Sequence, residues 1–180
     1  MPFPTLAPIL AASRLSGVPL SWMPAHEIHQ PYRKLLVHDH DMTSELAAFH
    51  RDSISLKVLQ SRLAEATYHR EVTLHAATSG TTVEYGLIEI LLGSFPPGIR
   101  TRILSGETPL GTILTTSRLP FRSEPQGFFS VPGQALGDLF PPSASGKILF
   151  GRYNHLIGNQ SATFARIIEI LPSQDPHVPV

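Results

Sequence analysis

The sequence predicts an α+β fold in which an antiparallel sheet of about five or six strands carries short helices on one face. Three observations predict it. Apolar and polar residues alternate with period two in several runs, as half-buried strands require. The first runs are joined by turns too short for a parallel crossover, so neighbouring strands pair antiparallel. The helix-like stretches are short and suit one layer laid on a sheet.

Each element follows in order. Residues 1–32 are rich in proline and weakly patterned, and read as an irregular arm with a short helix near Pro8–Leu15. Residues 43–50 read as a short helix capped by Thr43 or Ser44. Ser53–Leu63 sets Ile54, Leu56 and Val58 against Ser53, Ser55 and Lys57, the pattern of a strand. Ala66–Ala76 is the next strand, Ala77 to Gly80 the turn, and Thr82–Leu92 the third strand. Ser94 can then cap a helix with Pro96 and Pro97 in its first turn, where a missing N–H costs little. Ile99, Ile103 and Leu104 form its apolar stripe, and Gly106 its C-cap. Thr108-Pro109-Leu110-Gly111 restarts the chain into a second short helix. Residues 117–146 hold five prolines and four glycines, which argues against a long regular element and for a long loop or flap. Its Phe128, Phe129, Leu136, Leu139 and Phe140 are too apolar for a plain linker. Lys147–Ile157 and Ala162–Leu171 form a closing hairpin around Gly158-Asn159-Gln160, and 173–180 read as a frayed tail.

With 180 residues the chain reads as a single domain, 1–180. Hydrophobic residues are 42% and charged residues 16%, a globular balance. The formal net charge is zero, which argues against nucleic acid or an anionic membrane as partner. Without cysteine there is no disulfide, no thiolate nucleophile and no Cys-ligated zinc. No apolar run approaches a membrane span, and Met1–Leu10 has no basic residue, so a cytoplasmic monomer is expected. No Gly-rich phosphate loop and no Gly-x-Ser-x-Gly motif is present.

Two charges break the alternation. Arg70 shares a strand face with Ala66, Tyr68, Val72 and Leu74, and Glu169 shares one with Ala165, Ile167 and Leu171. A buried charge requires an opposite charge, a dense set of hydrogen bonds or a ligand. Arg70 therefore reads as an anion anchor, as a structural partner of Glu169 or another acid, or as a residue whose strand parity is misassigned. A guanidinium grips a carboxylate through two parallel hydrogen bonds. Glu84 and Glu89 lie on opposite, mostly apolar faces, so parity does not tell which is inside. His38-Asp39-His40-Asp41 offers a metal reading, with His69, His75 or His155 as a third ligand. A polar turn before the helix explains the same run with fewer assumptions, and the expected site holds no metal.

Four segments resemble chorismate pyruvate-lyases, in that family's order. Leu35 to Thr43 resembles their Leu-rich, acidic, Met-Thr segment, and Tyr68-His69-Arg70-Glu71-Val72 their Arg-Glu strand. Thr108-Pro109-Leu110-Gly111 matches a Thr-Pro-Leu-Gly segment, and Glu169-Ile170-Leu171-Pro172 resembles the closing strand. The resemblance implies an antiparallel sheet with helices and flaps around a buried cavity. It implies cofactor-free conversion of chorismate to 4-hydroxybenzoate and pyruvate. Arg70 would hold the ring carboxylate with the backbone N–H groups of Met42 and Leu110. Glu169 would face the ring hydroxyl, as base, leaving-group assistant or positioner. The lyase pattern has arginine where this chain has Leu87, so Arg152 or Arg122 would have to supply the second cation. The alternative is a non-catalytic binding domain for a small aromatic or pre-aromatic carboxylate.

Overall fold

Strands form where branched and aromatic residues alternate with polar ones, and short helices occupy the intervals. In the computed structural model, residues 6–11, 13–140, 146–158 and 161–173 are described. The arm contains helix α1 (Ala7–Leu10) and strand β1 (Ser21–Met23), followed by helices α2 (Tyr32–Leu36) and α3 (Met42–His50). Strands β2 (Ile54–Ala64), β3 (Thr67–Ala76) and β4 (Thr82–Leu91) form a meander. Helices α4 (Pro97–Ser105) and α5 (Leu110–Thr116) lead into β5 (Arg122–Pro132), β6 (Ile148–Ile157) and β7 (Thr163–Leu171). All strand pairs are antiparallel, and the order is β1-β5-β6-β7-β4-β3-β2.

This is the α+β architecture expected, with seven strands rather than five or six. The added strands are β1 and β5. Residues 122–132, expected as loop, pair with β6 along their whole length. Their prolines do not break the ladder. Pro125 stands at a bulge beyond the reach of β1, which covers only Phe128–Ser130, and Pro132 is the last residue of the strand. Gly127 lies under Trp22, whose ring would stand 2.6 Å from a Cβ there. The arm is therefore packed as well as irregular.

Two helix starts differ in detail from expectation, and one helix end matches it. Asp41, not Thr43 or Ser44, caps α3, accepting from the Ser44 N–H at 2.9 Å. A carboxylate at that position also favours the positive end of the helix. Ser94 belongs to a short 3-10 turn, and α4 begins at Pro96–Pro97 without a side-chain cap. Gly106 closes α4 with φ 69°, the left-handed conformation that favours glycine. The expected turn Gly158-Asn159-Gln160 is described only at Gly158, and of the expected frayed tail only Ser173 lies within the described residues.

The sheet is covered on both faces. On one face Tyr85, Leu87, Phe129, Val131, Tyr153, Ile168 and Ile170 pack with the arm residues Leu6 and Leu15 and with Leu136 and Phe140. The other face carries the helices in two separate apolar clusters. Tyr68, Ile88, Ile90, Leu156 and Ile167 meet α4 and α5. Leu74, Ala76, Phe150 and Leu171 meet α2 and α3. Among the described residues no helix is long and apolar enough to cross a membrane.

Candidate functional site

The gap between those two clusters is a polar band across the middle of the sheet. Register builds it row by row. Arg152 stands opposite Glu169, Glu169 opposite Gly86, and Gly86 opposite Val72. On one side of that row lies the row of Asn154, Ile167, Ile88 and Arg70. On the other side lies the pair Glu84–Leu74. Gly86 projects nothing into the middle, so the row is hollow there. A Cβ on Gly86 would stand 3.1 Å from Val72 Cγ2 and 3.2 Å from Glu84 Oε1. The Glu84 carboxyl thus leans over the bare glycine.

The hollow is a cavity of about 50 Å³. Arg70, Glu84 and Glu169 line it from the sheet, and Asp41, Met42, Thr43, Pro109, Leu110 and Gly111 from the starts of α3 and α5. Those two starts touch. A Cβ on Gly111 would fall 2.5 Å from Asp41 Oδ1, so only glycine admits this approach. The Thr-Pro-Leu-Gly segment therefore forms part of the roof.

Glu169 is engaged. The Arg152 guanidinium donates through Nε to Glu169 Oε2, and both side chains are buried. Arg152 Nη1 also donates to the carbonyls of Leu36 and His38, each at 3.1 Å. This arginine ties the floor of the site to the segment leading into α3. Beside it, Asn154 donates to Ser123 Oγ at 2.8 Å.

Arg70 has no such partner. It is 4% exposed, and its Nε and Nη1 are buried without hydrogen bonds among the described residues. Burial lowers its pKa to about 10, which leaves it charged at neutral pH. Arg70 faces the cavity as the alternation requires, and its expected structural partner Glu169 is taken by Arg152. Glu84 is the inside acid of the pair that parity could not separate. Its Oε2 is buried without a partner, and burial first, then the neighbouring Glu169, raises its carboxyl well above 4.5. Glu89 lies on the opposite face, paired with Arg166 at 2.7 Å.

The remaining candidates fall as follows. Met42 and Leu110 both line the cavity. Leu87 belongs to the apolar cluster on the other face, so an arginine there would not point into this space. Arg122 is exposed and paired with Glu124 at 3.2 Å. Arg152 is buried beside the site and paired with Glu169. His38, His40 and Glu45 bring donor atoms within 4.8 Å of one another. His38 Nε2 lies 2.8 Å from the Leu35 carbonyl and Nδ1 3.4 Å from Arg152 Nη1, so a dication there would meet a fixed positive charge. Burial, then Arg152, lowers the His38 pKa, which keeps that ring neutral. A larger space of about 300 Å³ is lined by Gln60, Arg62, His69 and the arm, and is bordered by Arg70 as well. Its buried acid, Glu71, is engaged by Arg14, Gln60 and Tyr85.

No protein-family model and no curated protein sequence matches the chain. Solved structures do. One is PhnF from Mycobacterium smegmatis, with TM-score 0.55 and 13% identity, covering 74% of this chain and 64% of that one. Another is a candidate regulator from Escherichia coli CFT073, with TM-score 0.50 and 13% identity, covering 69% of this chain and 99% of that one. This chain thus spans less than two thirds of the PhnF chain. At such identity the likeness concerns the fold, which is the chorismate lyase-like fold expected.

Two stability measurements check this geometry. Arg152→Met leaves the Glu169 charge buried alone and should cost about 3–5 kcal/mol in denaturant unfolding. Adding Glu169→Leu should recover most of the loss; no recovery would show that Arg152 acts mainly through the Leu36 and His38 carbonyls. The second concerns pH. The folded chain keeps a proton on Glu84 at pH values where the unfolded chain, near 4.5, has released it. That contribution is fully present below 4.5 and is lost as pH rises toward the raised value. Glu84→Gln should flatten this slope relative to the parent and stabilise the protein at neutral pH. Parallel pH profiles would contradict it.

Proposed function

We propose that this chain is a binding domain for a small carboxylate, anchored by Arg70. The observation that carries the reading is the Arg70 guanidinium, buried at the cavity with Nε and Nη1 unpartnered. Leaving buried donors unmade costs about 1–3 kcal/mol each, more for a charged group, so such a cation is matched to an anion that arrives. A carboxylate supplies two acceptors to the guanidinium fork. The backbone N–H groups of Met42 and Leu110 would flank it.

Charge limits the ligand further. Arg152 and Glu169 neutralise each other, and a protonated Glu84 adds nothing. Asp41, the other acid on the wall, is committed to the start of α3, where it accepts from the Ser44 N–H, so Arg70 is the cation without a partner, which suits an anionic ligand. Apolar walls from Val72, Ile88, Leu110 and Leu156 suit a flat hydrocarbon body. Aromatic acids of the 4-hydroxybenzoate kind join these requirements. The cavity of about 50 Å³ is smaller than the roughly 150 Å³ that accepts benzene, so a ring enters only as the starts of α3 and α5 part.

The resemblance to chorismate lyases supplies the second reading, turnover. Glu169 lining the cavity favours it. Its engagement by Arg152 weighs against a free base, and Leu87 offers no second cation on this face. A solved structure of similar fold is named a regulator, which sits more easily with binding than with catalysis.

Thermal unfolding with benzoate and 4-hydroxybenzoate tests the proposal. At a hundredfold excess over Kd, a ligand should add about 2.7 kcal/mol to the stability of the parent. Arg70→Met should remain folded and lose that gain, while benzyl alcohol should stabilise neither protein. Absence of any carboxylate effect would sink the anchor. Release of pyruvate from chorismate by the pure protein would replace binding with turnover.

A further inference from the structure

We infer that the Glu84 carboxyl is the specificity element of the site. It donates its proton to an oxygen carried by the ligand at the end remote from Arg70, so the site selects hydroxylated carboxylates over their unsubstituted counterparts. This rests on the reading of Arg70 as the carboxylate anchor.

Among the described residues, five buried side-chain polar atoms lack a partner, and four belong to Arg70, Glu84 and Arg152. Buried polar groups in folded proteins are almost always paired, so a cluster of exceptions at one cavity marks groups that await a partner. Arg70 contributes donors only. Glu84 is therefore the group that distinguishes the other end.

Position supports the same division. Arg70 and Glu84 sit in register rows on opposite sides of the Gly86 row. Four residues of β3 separate the two rows, about 13 Å along the strand at 3.3–3.4 Å per residue. The side chains close part of that span, since Glu84 leans over Gly86. Neither partner reaches the other in an ion pair, and no carboxylate among the described residues pairs with Arg70. The space between them is bounded by bare glycine and by Val72. A ligand laid there meets the guanidinium at one end and the Glu84 carboxyl at the other.

Chemistry then assigns the proton. Glu169 is the obvious reader of a hydroxyl, but Arg152 holds it. Glu84 faces Glu169 from β7 and Asp41 from the cap of α3, with Arg152 behind Glu169 and His38 behind Arg152. Two carboxylates next to a buried third favour its neutral form, which burial favours further. A neutral carboxylic acid has one O–H to donate and a carbonyl oxygen to accept. A ligand hydroxyl satisfies both, and a methyl of the same size satisfies neither.

Calorimetric titration with 4-hydroxybenzoate and 4-methylbenzoate tests the inference. The pair differs in one group of similar volume. The parent should prefer the hydroxy acid by about tenfold, the equivalent of 1.4 kcal/mol. Glu84→Gln, whose amide still donates, should keep most of the preference. Glu84→Leu should lose it and bind the two acids equally. Glu84→Met provides the same comparison should the leucine variant fail to fold. Equal binding of the two acids by the parent overturns the inference and leaves the anchor standing. A preference that survives Glu84→Leu or Glu84→Met overturns it too. Failure of both acids to bind the parent overturns the anchor, and this inference with it.

Discussion

The buried pair of Arg152 and Glu169 sets the terms for everything around it. One pair of side chains joins adjacent strands β6 and β7, and the same guanidinium reaches the carbonyls of Leu36 and His38. The route into α3 is thereby held over the sheet. Asp41 caps that helix and meets the bare Gly111 of α5, which fixes the second half of the roof. A buried ion pair adds little net stability compared with an apolar pair, but it is costly to break. Its value here is positional: two helix starts and a sheet floor are held in one arrangement around a cavity.

That arrangement separates the roles of four charged side chains. Arg152 and Glu169 neutralise each other, although Arg152 Nη2 has no hydrogen-bond partner among the described residues. Arg70 is left as a charged donor without an acceptor, and Glu84 as an acid in surroundings that favour its neutral form. The two free groups lie on opposite sides of Gly86, the one row position that carries no side chain. An unpartnered cation, an acid whose surroundings favour its neutral form and apolar walls are the features on which the proposed binding of a small anion rests.

Much of this was legible in the sequence, for physical reasons. Arg70 and Glu169 stood out because period-two alternation sets each among apolar residues on one strand face, although parity alone left a misassigned face open for Arg70. The meander of β2, β3 and β4 was readable for the same reason. Glu84 and Glu89 were not separable, because the sheet is covered on both faces and both faces of β4 are apolar. Arg152 was missed as the partner of Glu169 since both faces of its strand mix polar and apolar residues. Counting back from the expected hairpin does not place the two opposite each other, because the strands shift register between Leu156 and Ile157. β5 was hidden by its prolines and glycines, whose harm is removed by a bulge and by Trp22 packing over Gly127. β1 is three residues long, too short for any periodicity.

The most direct test is a crystal structure of the protein with 4-hydroxybenzoate bound. The account predicts the carboxylate in bidentate contact with the Arg70 guanidinium, the ring over Gly86, and the phenolic oxygen at the Glu84 carboxyl. The Arg152–Glu169 pair should remain intact beneath it. A ligand held in the reverse orientation would contradict the account. So would one seated in the larger space by Arg62 and His69, or one that displaces Arg152 from Glu169.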